Sequence, residues 1–159
     1  MTKLQLTYRG TVYPWHCDHM GHMNVMWYTG KFDEASWSLL SQAGLTQSFF
    51  RKQKQGMAAL QQNITYKREL RAGDVVSIRS GVLDVAEKVV RIFHEMTNEE
   101  TNEVAAFTVI TGVYMDVSIR KSCPIPLEIR ENILEMKLDE DKIYWPEILS
   151  SMPKAADVC

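Results

Sequence analysis

Apolar and polar residues change rhythm several times along the chain, and each change marks an element. Leu4, Leu6 and Tyr8 alternate with Lys3, Gln5, Thr7 and Arg9, the two-residue period of a strand over Leu4–Val12. Gly10 within it signals a bulge or a close backbone approach. Pro14 ends regular pairing because it has no N–H to donate. The polar stretch from His16 to Met23, broken by Gly21, reads as a loop. The period then lengthens: Trp27/Tyr28, Phe32, Ala35/Ser36, Leu39/Leu40 and Ala43 recur at three- and four-residue steps, the signature of a helix. Asn24 suits its N-cap and Gly44 its C′ stop. Gly30 and the aromatics weaken its intrinsic propensity, so this helix depends on packing. Apolar residues extend well around it, as expected of a helix seated in the hollow of a sheet.

Thr46 to Lys54 adds a short helix broken by Gly56. Met57–Lys67 is a strand with Leu60, Ile64 and Tyr66 facing inward, followed by the charged turn R-E-L-R-A-G-D. Val75–Val85, Val89–Met96 and Val104–Asp116 are three strands joined by the tight hairpin A-E-K and the polar turn T-N-E-E-T-N, which predicts an antiparallel meander. After Pro124 and Pro126, the residues Ile129, Ile133, Leu134 and Leu138 mark a modest amphipathic helix. The order predicts an α+β fold with one antiparallel sheet curled round one long helix, a single domain over 1–138 and a tail over 139–159.

Composition narrows the function classes. The 159 residues suit one domain, and a net charge of −2 excludes binding to nucleic acid through bulk positive charge. Any anionic ligand must be met by a few local Lys and Arg. Three cysteines (Cys17, Cys123, Cys159) with no C-x-x-C pair argue against a disulfide framework or structural zinc site. The N-terminal ten residues hold no apolar core of signal-peptide length, and no run nears the roughly 18 apolar residues of a membrane span. The expectation is a cytoplasmic protein with no membrane partner.

Chemistry concentrates at the entry to the long helix. The first N–H groups of a helix are unpaired and carry partial positive charge, so a carboxylate beside them is poised to work with an oxyanion site. Asp18 stands there, and its alternative reading is a turn residue bonding its own backbone. His22 and Asn24 either orient Asp18 and meet substrate or merely close the turn and cap the helix. The run His16, His19, His22 with Cys17 invites a metal reading, but Pro14 and Gly21 prevent the helix that would align them, and no metal site is expected. His94 reads as structural. Lys67, Arg68, Arg71 and Lys88 are candidates for phosphate groups, against solvated sheet edge as the alternative. Tyr13, Trp15, Trp27 and Tyr28 either line a pocket or fill the core.

The pattern Asp18-x-x-Gly21-His22-x-Asn24 at the helix entry resembles the hotdog-fold acyl-CoA thioesterases of the 4-hydroxybenzoyl-CoA thioesterase type. Tyr28, the acidic pair Asp33-Glu34 and the segment Ile64 to Asp74 continue the likeness, which spans roughly Leu6 to Glu128. The resemblance implies hydrolysis of an acyl-CoA thioester, with coenzyme A part of the substrate and no separate cofactor. It implies Asp18 as nucleophile or general base, with His22 and Asn24 beside it, and oxyanion-binding N–H groups at Asn24 to Met26. Val25, Met26, Tyr28, Lys67, Arg68 and Lys88 would contact substrate. It also implies a homodimer or homotetramer with active sites between subunits. Two positions depart from the pattern: His16 stands where relatives often have a second Asp, and Val25 where they often have a second Asn. Glu34 is the reserve nucleophile. The competing readings are a hotdog hydratase or dehydratase, which needs a carboxylate/His pair, and a non-catalytic acyl-CoA binding protein.

Overall fold

A computed structural model describes residues 3–139, 143 and 154–158. The alternating N-terminal segment forms β1 (Gln5–Thr11), and a 3-10 turn over Pro14–His16 follows. The long helix α1 spans Val25–Gln42 and the short α2 spans Gln47–Gln53. Four strands succeed them: β2 (Gln55–Tyr66), β3 (Val75–Val85), β4 (Val89–Asn98) and β5 (Val104–Asp116). The two-residue strand β6 (Lys121–Ser122) and α3 (Leu127–Glu135) complete the described elements, with a 3-10 turn over Ala155–Asp157. The strands pair antiparallel in the order β1-β3-β4-β5-β2, with β6 on β5. The expected meander is therefore the centre of the sheet, and α1 lies against it as the hotdog resemblance implies.

Helix α1 begins and ends as its sequence predicts. The Asn24 side chain accepts the Met26 N–H at its start. At its end the Leu45 N–H returns to the Leu40 carbonyl and the Gly44 N–H to that of Ser41, a Schellman closure that needs the left-handed φ of +97° at Gly44. One face of α1 supplies Tyr28, Phe32, Ala35, Leu39 and Leu40 to the core. They meet Ile78, Val82, Val90, Ile92, Met96 and Ala106 on the sheet. The opposite sheet face packs Leu83, Phe93, Phe107 and Val109 against Leu138 and Ile143. Of the stretch expected as a tail, only 139, 143 and 154–158 are described, and there Ile143 and Ala155 are buried on this outer face.

Two expectations change. The apolar circumference of α1 does not mean burial all round: Val25, Met26 and Trp37 stay exposed in the single chain. On β2, Ile64 packs inward, but Leu60 is 51% exposed and Tyr66 46%. The register slips between Ala59 and Gln61, so Leu60 is the extra residue of a bulge and is turned out of the alternation. Tyr66 ends an edge strand and reaches solvent there.

His94 is structural, as expected. Its ring is fully buried between Ser80, at Nδ1, and Ser36, 2.9 Å from Nε2. Burial pushes its pKa down to about 3. An unfolded chain takes up a proton here near pH 6.5 that the folded chain refuses, so stability falls as pH drops from 6.5 towards 3. The contribution reaches about 1.4 kcal/mol per pH unit. Urea midpoints measured from pH 7 to pH 4.5 should fall with this slope, and His94→Gln should flatten it; parallel curves for the two proteins would contradict the assignment.

Candidate active site

The entry to α1 is a compact knot of backbone bonds. Cys17 and Met23 form an antiparallel bridge, the Asp18 N–H donates to the His22 carbonyl, and the Gly21 N–H donates to the Asp18 carbonyl. Gly21 takes a φ of +84° to close this turn. The Met23 N–H reaches the Leu70 carbonyl at 2.7 Å, tying the loop to the turn before β3.

Asp18 is half-buried in this knot, and both its oxygens are held. Oδ1 accepts the Met20 N–H at 2.9 Å and Oδ2 accepts the Asn24 amide at 2.8 Å. The Asn24 amide, then the Met20 N–H, hold the carboxyl below the usual carboxylate range. It is therefore ionised at neutral pH. Asn24 works in two directions, since its Oδ1 caps the Met26 N–H at 3.0 Å while its Nδ2 holds Asp18.

The N–H groups expected to polarise a carbonyl sort themselves unequally. Asn24 donates its N–H to the His16 carbonyl, and Met26 donates to the Asn24 side chain. Val25 N–H alone of the three has no acceptor among the described residues. It is left open to water or a ligand.

Two cavities lie along α1. The first is a groove of about 270 Å³ lined by His22, Met23, Val25, Tyr28, Tyr66, Lys67, Arg68 and Glu69. It brings together His22, Val25, Tyr28, Lys67 and Arg68 from the sequence reading. Tyr28 is buried, donates its hydroxyl to the Arg68 carbonyl at 3.2 Å, and meets Tyr66 edge-on at 5.2 Å. Burial pushes its pKa up to about 12, so it remains a neutral phenol. His22 turns towards Glu69, at 3.4 Å, and not onto Asp18. The carboxylate/His pair that a hydratase requires is thus not assembled between these two residues. Lys88 is not part of this groove. Its carbonyl accepts the Tyr114 N–H, whereas Lys67 pairs with Ala105; nine steps of β5 separate the two, roughly 30 Å.

The second cavity is a cleft of about 210 Å³ between α1 and the sheet, lined by apolar Leu40, Met57, Val90, Ile92 and Ile110 together with Gly30 and Asp33. Thr29, one turn beyond Val25, is part of its lining. A Cβ added at Gly30 would meet nothing within 4 Å, so this glycine leaves space beside the helix. Sequence reasoning missed the cleft, since its walls come from four separate elements. It also missed Tyr66 and Glu69 as groove residues. The three histidines do not converge either: His16 is buried inward, and no group of His, Cys, Asp or Glu among the described residues is placed to hold a metal ion.

A family model described as the thioesterase-like superfamily matches residues 12–133. The chain belongs to that superfamily. The chain is a thioester hydrolase. No curated protein matches it significantly. Among solved structures it is similar to a Staphylococcus aureus protein determined in complex with CoA, at 22% identity, 97% coverage of each chain and a TM-score of 0.83. It is similar also to a 1,4-dihydroxy-2-naphthoyl-CoA thioesterase from Synechocystis, at 18% identity over 82% of this chain and 96% of that one, TM-score 0.73. A gentisyl-coenzyme A thioesterase shares 23% identity over 79% and 98%, TM-score 0.71. These likenesses bear out the hotdog fold.

Asn24→Ala should cost about 1 kcal/mol of stability as a lost N-cap and raise the Asp18 pKa towards its ordinary value. NMR titration of the Asp18 carboxyl reads this directly; an unmoved titration would show that Asn24 does not hold it.

Proposed function

We propose that this thioester hydrolase acts on acyl-CoA, with Asp18 as the reacting carboxylate and the Val25 N–H as oxyanion donor. The observation that carries this reading is the Asn24 bridge, which fixes an ionised carboxylate to the same helix terminus that offers a free N–H. The CoA complex of a structurally similar protein supports the thiol half of the substrate. In this reading Lys67 and Arg68, which line the groove, meet the CoA phosphates, and the apolar cleft takes the acyl group. Coenzyme A enters as substrate, with no separate cofactor in the reaction.

Two routes use the same atoms. Asp18 attacks the thioester carbonyl carbon, the C–S bond breaks to release the thiol, and water cleaves the mixed anhydride to acid and free Asp18. Alternatively Asp18 takes a proton from water as that water attacks the same carbon. In both, the carbonyl oxygen gains negative charge in the transition state, which Val25 N–H and the positive end of α1 stabilise.

The assembly belongs to this proposal. Val25, Met26 and Trp37 on α1 and Leu60 on the edge strand β2 are large exposed apolar residues beside the site. A second copy covering them would place the active site between subunits, in a homodimer or a homotetramer. No described helix is long and apolar enough to cross a membrane, and the free thiols Cys17 and Cys123 suit a reducing cytoplasm.

Thiol release from a panel of acyl-CoAs should lose at least about a hundredfold in Asp18→Asn, roughly 2.7 kcal/mol of transition-state stabilisation. Activity equal to wild type would remove Asp18 and make Glu34 the next candidate. Gly30→Leu should fill the cleft and shift preference towards smaller acyl groups, read as the ratio of kcat/KM for short and long acyl-CoAs. An unchanged ratio would place the acyl group elsewhere.

A further inference from the structure

His16 occupies the position where the family resemblance leads one to expect a second carboxylate, and its surroundings define a different task. The side chain is 8% exposed and enclosed by rings. Trp27 of α1 lies 4.3 Å away between centroids, and the stacked pair Tyr13 and Trp15 presents edges at 5.8 and 5.9 Å. Its Nδ1 accepts the Tyr13 N–H at 3.0 Å. An accepting Nδ1 bears no proton, so the ring is the neutral form protonated at Nε2.

The backbone of the same residue completes the connection. The His16 N–H donates to the Tyr13 carbonyl, and the His16 carbonyl accepts the Asn24 N–H at 2.9 Å. Asn24 in turn holds Asp18 and caps α1. One residue thus joins the end of the strand segment, a ring of α1 and the backbone of Asn24, whose side chain grips the carboxylate.

The charged groups facing the ring come from α1. Lys31, buried and bonded to the Tyr8 hydroxyl at 2.8 Å, opposes protonation of His16, and Glu34 favours it. Burial is the largest influence and moves His16 below its ordinary pKa. The accepting nitrogen is therefore available at neutral pH. A carboxylate here would be buried among three aromatic rings, at a desolvation cost that the imidazole avoids.

We propose that His16 is a positioning residue for thioester hydrolysis: through its Nδ1 acceptor and its carbonyl it sets the Asp18–Asn24 unit against the N-terminus of α1. This rests on the reading of Asp18 as the reacting carboxylate.

The test compares His16→Phe, which keeps a ring but loses the acceptor, with His16→Asn, whose side-chain oxygen can take the place of Nδ1. Each variant is first confirmed to be folded by its melting transition. His16→Phe should lower kcat by about ten- to a hundredfold with KM little changed, the size expected when a reacting group is displaced by about an ångström. The Asp18 carboxyl in that variant should titrate higher by NMR, because its Asn24 contact loosens. His16→Asn should recover most of kcat and return the titration towards wild type. A folded His16→Phe with wild-type kcat and unmoved Asp18 titration would overturn the proposal, as would failure of His16→Asn to restore either. The NMR readout needs no turnover, so a failure of the Asp18 mechanism, seen as full activity in Asp18→Asn, is distinguished from a failure of His16.

Discussion

The hydrogen-bonding need of one helix terminus organises this molecule. Helix α1 leaves its first N–H groups without intrahelical acceptors, and that deficit must be met by a cap, by water or by a ligand. Asn24 meets part of it with Oδ1 on Met26 N–H, and its remaining amide protons are then free to hold Asp18. The cap is thus also the support of the candidate reacting group. Had the cap been Ser or Thr, the N–H could still be met, but no second arm would reach the carboxylate. Because only one of the N–H groups from Asn24 to Met26 is left open, the site presents a single directed donor at Val25.

Helix α1 is divided lengthwise. Tyr28, Phe32, Ala35 and Leu39 anchor it in the sheet, while Val25, Met26 and Trp37 remain bare. The edge strand β2 is similarly divided, with Ile64 packed and Leu60 turned out by a bulge. Exposed apolar residues on adjoining elements are the pattern of an unfinished surface. Gly30 fits the same picture. Glycine within a helix costs about 1 kcal/mol relative to alanine, and the chain itself supplies no neighbour that would exclude a Cβ. The proposed function gives this space to the acyl group.

The sequence made most of the element order legible because each signal was local. Alternation marked β1, three- and four-residue spacing marked α1, and Asn24 and Gly44 marked its ends by mechanisms confined to a few neighbours. The turn Asp18–Asn24 was legible for the same reason, and the structure brings His22, Val25, Tyr28, Lys67 and Arg68 to one groove. What could not be read was long-range. Charge type groups Lys88 with Lys67 and Arg68, yet β5 holds them at opposite ends. Parity puts Leu60 inward, and a bulge resets that parity. The apolar cleft depends on the register of β2, β4 and β5 against α1, and no local pattern encodes that.

The electrostatic arrangement sharpens the chemistry. His16 and His94 both sit below their ordinary pKa because burial disfavours a charged ring, and Tyr28 is kept as a phenol by the same effect. His22 faces Glu69 instead of Asp18. Neither His16, His22 nor His94 is hydrogen-bonded to Asp18, and in the proposed function the carboxylate carries the reaction itself. Lowering its pKa guarantees the ionised form that both routes need, but it also weakens the group as a base. Direct attack asks only for a free lone pair pointed at the carbonyl carbon. The two N–H contacts on Asp18 leave its oxygens such lone pairs while fixing their direction. The geometry thus suits the anhydride route at least as well as water activation, and it does so without any group beyond the turn and the helix it caps.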